Sequence, residues 1–167
     1  MIDATDWDWS LIEAVSERVR SEPQQALESR AALHRCLEHH LLAIDPLSAD
    51  VARAVIRDQL VAHLTGLGPL DRWLSDPRVS EVMVNSGGSI WIERAGSLER
   101  VGSMPATRIE PIVERIIAPL GLRFDRTSPI VDARLSDGSR LCAVLPPIAI
   151  DGALLSIRKF ATVELGI

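Results

Sequence analysis

Apolar residues recur with helical spacing through the first 65 positions of the chain. This spacing predicts three helices, over residues 10–20, 23–44 and 48–65, because side chains three or four positions apart share one helix face. The three apolar stripes consist of Leu11, Val15, Val19; Leu33, Leu37, Leu41, Ile44; and Ala52, Ile56, Leu60, Leu64. Each stripe needs a partner to bury against, so a small helical bundle is predicted.

Beyond Pro69 the helical spacing gives way to short alternating segments separated by turn residues. A helix over residues 107–120 interrupts them, and Thr107-x-x-Glu110 has the pattern of a capping box at its start. The alternation predicts strands over residues 81–85, 89–93, 98–101, 130–135, 140–145 and 154–160, together with a short helix over 70–75. Strands, then a helix, then strands indicate an α+β sheet domain with a helix on one face.

We therefore predict an α+β chain in two parts. Residues 1–65 form an N-terminal helical bundle, and residues 66–167 form a small mixed or antiparallel sheet domain with a helix packed on it. The first nine or so residues are candidates for disorder, although Trp7 and Trp9 are expected to pack on the bundle.

Composition narrows the classes of function. The chain has 167 residues, is 47% hydrophobic and carries a net charge of -5, so no basic field favours nucleic acid as a partner. Two cysteines are too few for a secreted disulfide framework, and no apolar run approaches the ~18 residues of a membrane span. We expect a cytoplasmic protein. Its only lysine is Lys159, which any mechanism that needs a catalytic lysine would have to use.

Most catalytic chemistries lack their residues in this chain. A Walker phosphate loop needs G-x-x-x-x-G-K-[ST], and no such motif precedes Lys159. There is no G-x-S-x-G elbow, and no histidine follows His63. The segment His34–His40, with Cys36 and His40 four positions apart, has helical spacing for a metal, but a site needs three or four ligands. We expect no catalytic residue and no metal site.

Arginines dominate the chemistry of the last third of the chain. Arginine grips phosphate oxygens through a planar fork, which makes Arg134, Arg140 and Arg158 candidates for phosphate binding. With a two-residue turn at Asp137-Gly138, Arg134 would face Leu141, and Arg134 and Arg140 would point to opposite sides of the hairpin. Both arginines could then touch one phosphate only if a bulge intervenes. The alternative for all three is a solvated charge or a salt bridge.

Read together, the segments after Gly66 resemble the N-terminal domain of CpaF/TadA-type ATPases, in the type II/type IV secretion ATPase superfamily. The match runs through Gly66-Leu-Gly-Pro-Leu-Asp71 and Leu74 to Asn85, and it is strongest in Ser128-Pro-Ile-Val-Asp-Ala-Arg-Leu-Ser-Asp-Gly-Ser-Arg-Leu141. It continues to Ser156-Ile-Arg-Lys-Phe160 and covers about the last 100 residues.

The resemblance implies a hexameric ring that binds ATP and Mg between this domain and a C-terminal ATPase domain. It implies that Arg140 and Arg158, with Arg134 as a weaker candidate, reach the terminal phosphate. Implied partners are that ATPase domain, neighbouring subunits and inner-membrane pilus or secretion platform proteins, at the cytoplasmic side of the inner membrane. The implied task is assembly of tight-adherence (Flp) pili or a related secretion process. Because these 167 residues lack the Walker motifs, we expect them to be inactive alone.

Two other hypotheses stay open at this point. One is a stand-alone adaptor or sensor module that uses this domain without a motor, which the sequence following residue 167 in the gene would distinguish. The other is a zinc-binding helical module at residues 34–40, which metal analysis would test.

Overall fold

A computed structural model describes residues 7–23 and 27–160 of the chain. The chain divides between Asp71 and Arg72 into two compact units, called here the helical unit and the sheet unit. The helices are α1 (Trp9–Arg20), α2 (Arg30–Ile44), α3 (Asp50–Thr65), α4 (Asp71–Ser75) and α5 (Ile109–Ile117). The strands are β1 (Val79–Val84), β2 (Ser89–Arg94), β3 (Ser97–Ser103), β4 (Ile130–Arg134), β5 (Arg140–Val144) and β6 (Leu154–Arg158). The predicted α+β class is confirmed.

The core of the helical unit comes from apolar residues of α1, α2 and α3. Its buried members are Ile12, Val15, Val19, Leu33, Leu37, Leu41, Ile56 and Leu60. Burying one such side chain stabilises the folded state by about 1.5–3 kcal/mol. Of the predicted α1 stripe, Val15 and Val19 are buried, whereas Leu11 is only half-buried and Ile12 takes its place in the core.

The second helix begins later than its sequence predicts. The apolar pattern placed its start near Pro23, whereas α2 starts at Arg30. Ser29 is the reason, because its hydroxyl accepts a hydrogen bond from the Ala32 amide at 3.1 Å and so caps the helix. At the start of α1, the Asp8 carboxylate accepts in the same way from Leu11 N, at 3.0 Å. Trp7 stacks on Trp9 with ring centroids 5.0 Å apart, and both rings pack against the bundle as predicted.

The sheet unit is a six-stranded antiparallel sheet with the order β3-β2-β1-β6-β5-β4. Alternate residues of the central strands are buried, and α5 packs against β6. The buried residues of α5 are Ile109, Ile112, Val113 and Ile117. The capping box predicted at Thr107 is not formed, because Thr107 lies inside a 3-10 turn, Ala106–Arg108, that leads directly into α5. The opposite face of the sheet carries the polar positions of the alternation.

No helix among residues 7–23 and 27–160 combines the length and apolarity that crossing a membrane requires.

The turn between β1 and β2 depends on Gly88. Its φ is +83°, and a Cβ added there would overlap the carbonyl oxygen of Met104. Gly87 has a similar φ of +80° but open space around its Cα. We expect Gly87→Ala to cost about 1–2 kcal/mol from left-handed strain alone. Gly88→Ala should cost about 1–3 kcal/mol more from overpacking.

Urea unfolding of the two variants checks this difference. Equal destabilisation by both substitutions would contradict the close approach of Gly88 to the Met104 carbonyl.

Candidate functional site: an arginine row on the open face of the sheet

Three arginines lie side by side on three adjacent strands. Arg134 of β4 is directly opposite Arg140 of β5, and Arg140 is directly opposite Arg158 of β6. Residues paired in this way project to the same face of an antiparallel sheet, with neighbouring strands about 4.7–4.9 Å apart. All three side chains are exposed. The three residues, called here the arginine row, therefore face solvent together.

The register of the β4–β5 hairpin aligns the first two arginines, and it corrects the two-residue turn inferred from the sequence. The loop has three residues, 136–138, because Leu135 N donates to Ser139 O at 2.8 Å and Gly138 N donates to Leu135 O at 3.0 Å. Gly138 has a φ of +85°, the left-handed conformation typical of such loops. The additional loop residue shifts the pairing by one position, so Arg134 faces Arg140 instead of Leu141.

The Asp137 side chain stabilises this loop. It accepts hydrogen bonds from the backbone amide of Ser139 at 2.9 Å and from the Ser139 hydroxyl at 3.0 Å. This is ordinary turn chemistry for aspartate before glycine, as the sequence indicated.

The arginine row borders an open depression of about 410 Å³, which is also lined by Gly138, Lys159 and Phe160. The Phe160 ring lies against the hairpin loop, where a Cβ on Gly138 would stand 3.2 Å from Phe160 Cγ. Phe160 N donates to the Ser139 hydroxyl at 3.3 Å, which ties the end of β6 to the loop. Sequence reasoning did not assign Gly138 and Phe160 to the site, although Phe160 shares the strand parity of Arg158.

The charge along this line of residues changes sign in the middle of the sheet. Arg158 is directly opposite Glu81 of β1, which is opposite Glu93 of β2. Glu81 accepts a hydrogen bond from the Ser156 hydroxyl at 2.6 Å. Within the part of the chain that the structure describes, no carboxylate lies within 4.0 Å of the arginine-row guanidinium groups. An anion placed on this half of the open face would therefore meet no competing carboxylate among the described residues.

Lys159 has a structural partner. Its Nζ donates to the Asp76 carbonyl oxygen at 2.7 Å, and its backbone amide donates to Ser80 O at 2.8 Å. The Asp76 carboxylate in turn accepts from Arg78 Nε at 3.0 Å and lies 3.5 Å from Arg94 Nη2. The chain's only lysine therefore anchors the end of β6, and the other positive charges that line the depression are Arg134, Arg140 and Arg158.

Three side chains that could bind a metal ion lie close together in the helical unit. Glu22, Cys36 and His40 each offer one ligand atom, and these atoms lie within 4.8 Å of one another. His34 and His39 lie outside this group. Burial, with the nearby Glu22 carboxylate as a smaller cause, raises the pKa of the Cys36 thiol above its ordinary value.

Comparisons with known proteins agree with the fold. No protein-family model matches the chain. The chain is 32% identical over 107 residues to a protein described as a conjugal transfer protein of Mycobacterium tuberculosis, covering 59% of this chain and 30% of that protein. It is 32% identical over 99 residues to the type IV secretion system protein VirB11 of Brucella suis, covering 56% and 27%.

A solved structure shows the same relationship. The VirB11 ATPase from the Brucella suis type IV secretion system, in complex with sulphate, superposes with a TM-score of 0.54 at 26% identity. The superposition covers 66% of this chain and 33% of that one. The chain thus spans about a third or less of the relatives described here. The predicted resemblance is confirmed at this level: the homologues are VirB11 and conjugal transfer proteins, and the α+β fold matches the VirB11 N-terminal domain.

The arginine row should cost stability in the isolated chain, because like charges directly opposite on adjacent strands repel. We expect Arg140→Thr to raise the free energy of unfolding by about 0.2–1 kcal/mol at low salt. Added sodium chloride should shrink this gain, since exposed charges are screened. Arg100→Thr is the control, because the exposed Arg100 lies opposite the uncharged Trp91. Urea unfolding at two salt concentrations measures both effects. An increase in the free energy of unfolding that is the same at both salt concentrations would contradict the repulsion.

Asp76 should make the sheet unit sensitive to acid. Hydrogen bonds from Arg78 lower the pKa of the Asp76 carboxyl from 3.8 to about 2 in the folded chain. The unfolded chain binds more protons between these values, so this contribution to stability is present above pH 3.8 and is lost as pH falls through about 2. Asp76→Asn should flatten this dependence in thermal melts, whereas Asp151→Asn, in an exposed loop, should not. Identical profiles for wild type and Asp76→Asn would contradict the assignment.

Proposed function

Starting from the homology to VirB11 and conjugal transfer proteins, we propose that this chain is the regulatory and interface domain of a hexameric secretion ATPase. In this proposal the arginine row supplies positive charge to the terminal phosphate of a nucleotide bound by an adjoining ATPase domain. The observation that carries the proposal is the alignment of three exposed arginines on one face of the sheet, next to an open depression.

The arrangement suits a phosphate presented from outside the domain. Guanidinium groups bind phosphate oxygens in a bidentate manner, and three of them on adjacent strands can contact several oxygens of one anion. Positive charge held near the terminal phosphate stabilises the charge that spreads over its oxygens during phosphoryl transfer. Because Glu81 and Glu93 continue the line toward β2, phosphate is favoured at the β4–β6 side of the sheet only.

An open depression also explains why a second domain is needed. Ligand pockets enclose most of their ligand, whereas this one is shallow and is walled by one sheet face and the Phe160 ring. The chain supplies cationic groups but no Walker lysine or phosphate-cradling loop. ATP and Mg would therefore be held chiefly by the ATPase domain, and closure of the two domains would bring the arginine row to the phosphate.

We further infer the setting in which such a motor works. The quoted CpaF/TadA-type motifs favour assembly of tight-adherence pili or a related secretion task. The partners would be the chain's own ATPase domain, neighbouring ring subunits and inner-membrane platform proteins, on the cytoplasmic side of that membrane. Sequencing of the gene beyond residue 167 tests this, since a loop ending in Gly-Lys-Ser/Thr supports the motor and a stop codon supports an adaptor.

The decisive experiment uses a protein that contains both this chain and the ATPase domain. We expect Arg140→Ala and Arg158→Ala each to reduce ATP turnover by on the order of 10²-fold, the loss seen when one charge-stabilising donor is removed. Folding and ring assembly should persist, because both side chains are exposed and pair with no carboxylate among the described residues.

Arg126→Ala is the matched control, since Arg126 is exposed but lies in the turn after α5, outside the arginine row. Its turnover should equal that of wild type. Normal hydrolysis by both arginine-row variants would overturn the proposal and leave the domain as a docking platform. The 167-residue chain alone should show no turnover and only weak binding of an ATP analogue.

A further inference from the structure

A second cluster of chemically active side chains lies in the helical unit, apart from the arginine row. Cys36 and His40 are one turn apart on α2, and Glu22 follows the end of α1. His40 Nε2 and Glu22 Oε1 lie 2.9 Å apart, and the Cys36 sulfur lies within 4.8 Å of both ligand atoms. His40 is buried, whereas Glu22 and Cys36 are half-buried.

We propose that Glu22, Cys36 and His40 bind one zinc ion, with a water molecule as the fourth ligand. Thiolate, imidazole and carboxylate are the three ligand types that zinc takes from proteins. The sulfur ligand favours zinc over magnesium and calcium, which prefer oxygen. The i, i+4 spacing on α2 is what allows Cys36 and His40 to reach the same ion.

The distances require little rearrangement. Tetrahedral zinc with ordinary bond lengths holds its nitrogen, oxygen and sulfur ligands about 3.3–3.6 Å apart. The His40–Glu22 pair is at 2.9 Å and would open by about 0.5 Å as the ion replaces the shared hydrogen. The Cys36 sulfur, at most 4.8 Å from the other two ligand atoms, would have to move closer by up to about 1.5 Å.

Zinc at this position would connect the end of α1 to the middle of α2. Glu22 lies two positions beyond Arg20, the last residue of α1, while Cys36 and His40 flank the fully buried Leu37. An ion shared by the two helices stabilises the folded unit by mass action, because the unfolded chain does not hold the three ligands together. The helical unit would then be a zinc-stabilised module, independent of the proposed phosphate site.

Cobalt and zinc titration of the 167-residue chain tests the proposal. We expect one Co²⁺ per chain, with a thiolate-to-cobalt charge-transfer band and the intense visible bands of tetrahedral cobalt, both displaced by Zn²⁺. Competition with a chromophoric chelator measures zinc affinity, and zinc should raise the melting temperature of the helical unit. Cys36→Ser should abolish the charge-transfer band, and Glu22→Gln and His40→Gln should weaken zinc binding by at least about tenfold.

Two controls make the result specific. Cys142→Ser changes the other cysteine, which is exposed in the sheet unit, and His39→Gln changes the exposed histidine beside His40. Neither should alter the band or the affinity. Loss of the band in Cys142→Ser, or wild-type binding by Glu22→Gln, would overturn the proposal. Glu22→Gln is nearly isosteric, so it keeps the test valid if Cys36→Ser or His40→Gln fails to fold.

Discussion

Pairing of β1 with β6 is the constraint on which the sheet unit depends. β1, β2 and β3 form one meander, while β4, β5 and β6 form another, and in the order β3-β2-β1-β6-β5-β4 the two meanders are joined by the pairing of β1 with β6. Four residue pairs make this junction, from Glu81 opposite Arg158 to Val84 opposite Leu155. Since about 70 residues separate the two strands, the junction carries a high loop-closure entropy that the buried apolar face has to offset.

The same junction determines the electrostatics of the open face. It ends the arginine row at Glu81, so positive charge lies on the β4–β6 half of the line and negative charge on the β1–β2 half. Three like charges on adjacent strands work against folding, and a sheet optimised for stability alone would avoid them. Such locally unfavourable arrangements concentrate at functional sites, where a bound partner provides the compensating interaction. The local repulsion is therefore consistent with the proposed binding of phosphate at the arginine row.

The two units present chemistry of different character. In the sheet unit, the arginine guanidinium groups lie on an exposed surface formed by paired strands. In the helical unit, a soft thiol and an imidazole lie partly out of water, on a helix that the bundle core holds in place. Anion binding suits the first environment because long arginine side chains can follow a moving phosphate. The proposed metal binding suits the second because Cys36 and His40 lie one turn apart on the same helix, close to Glu22.

Local signals in the sequence determined much of this protein. Helical spacing, alternation and turn residues predicted the three helices of the bundle, the strands and the α+β class, because each depends on neighbours within a few positions. The motifs around Arg134, Arg140 and Arg158 identified the arginines and the family resemblance.

Tertiary structure alone decided how these residues are arranged relative to one another. The loop at Gly138 has one residue more than the sequence predicted. Because side chains alternate between the two faces along a strand, this extra residue places Arg134 and Arg140 on the same face instead of on opposite faces. Only packing of α1 beside α2 brought Glu22 to Cys36 and His40, because periodicity within one helix carries no information about which residue of another helix lies against it.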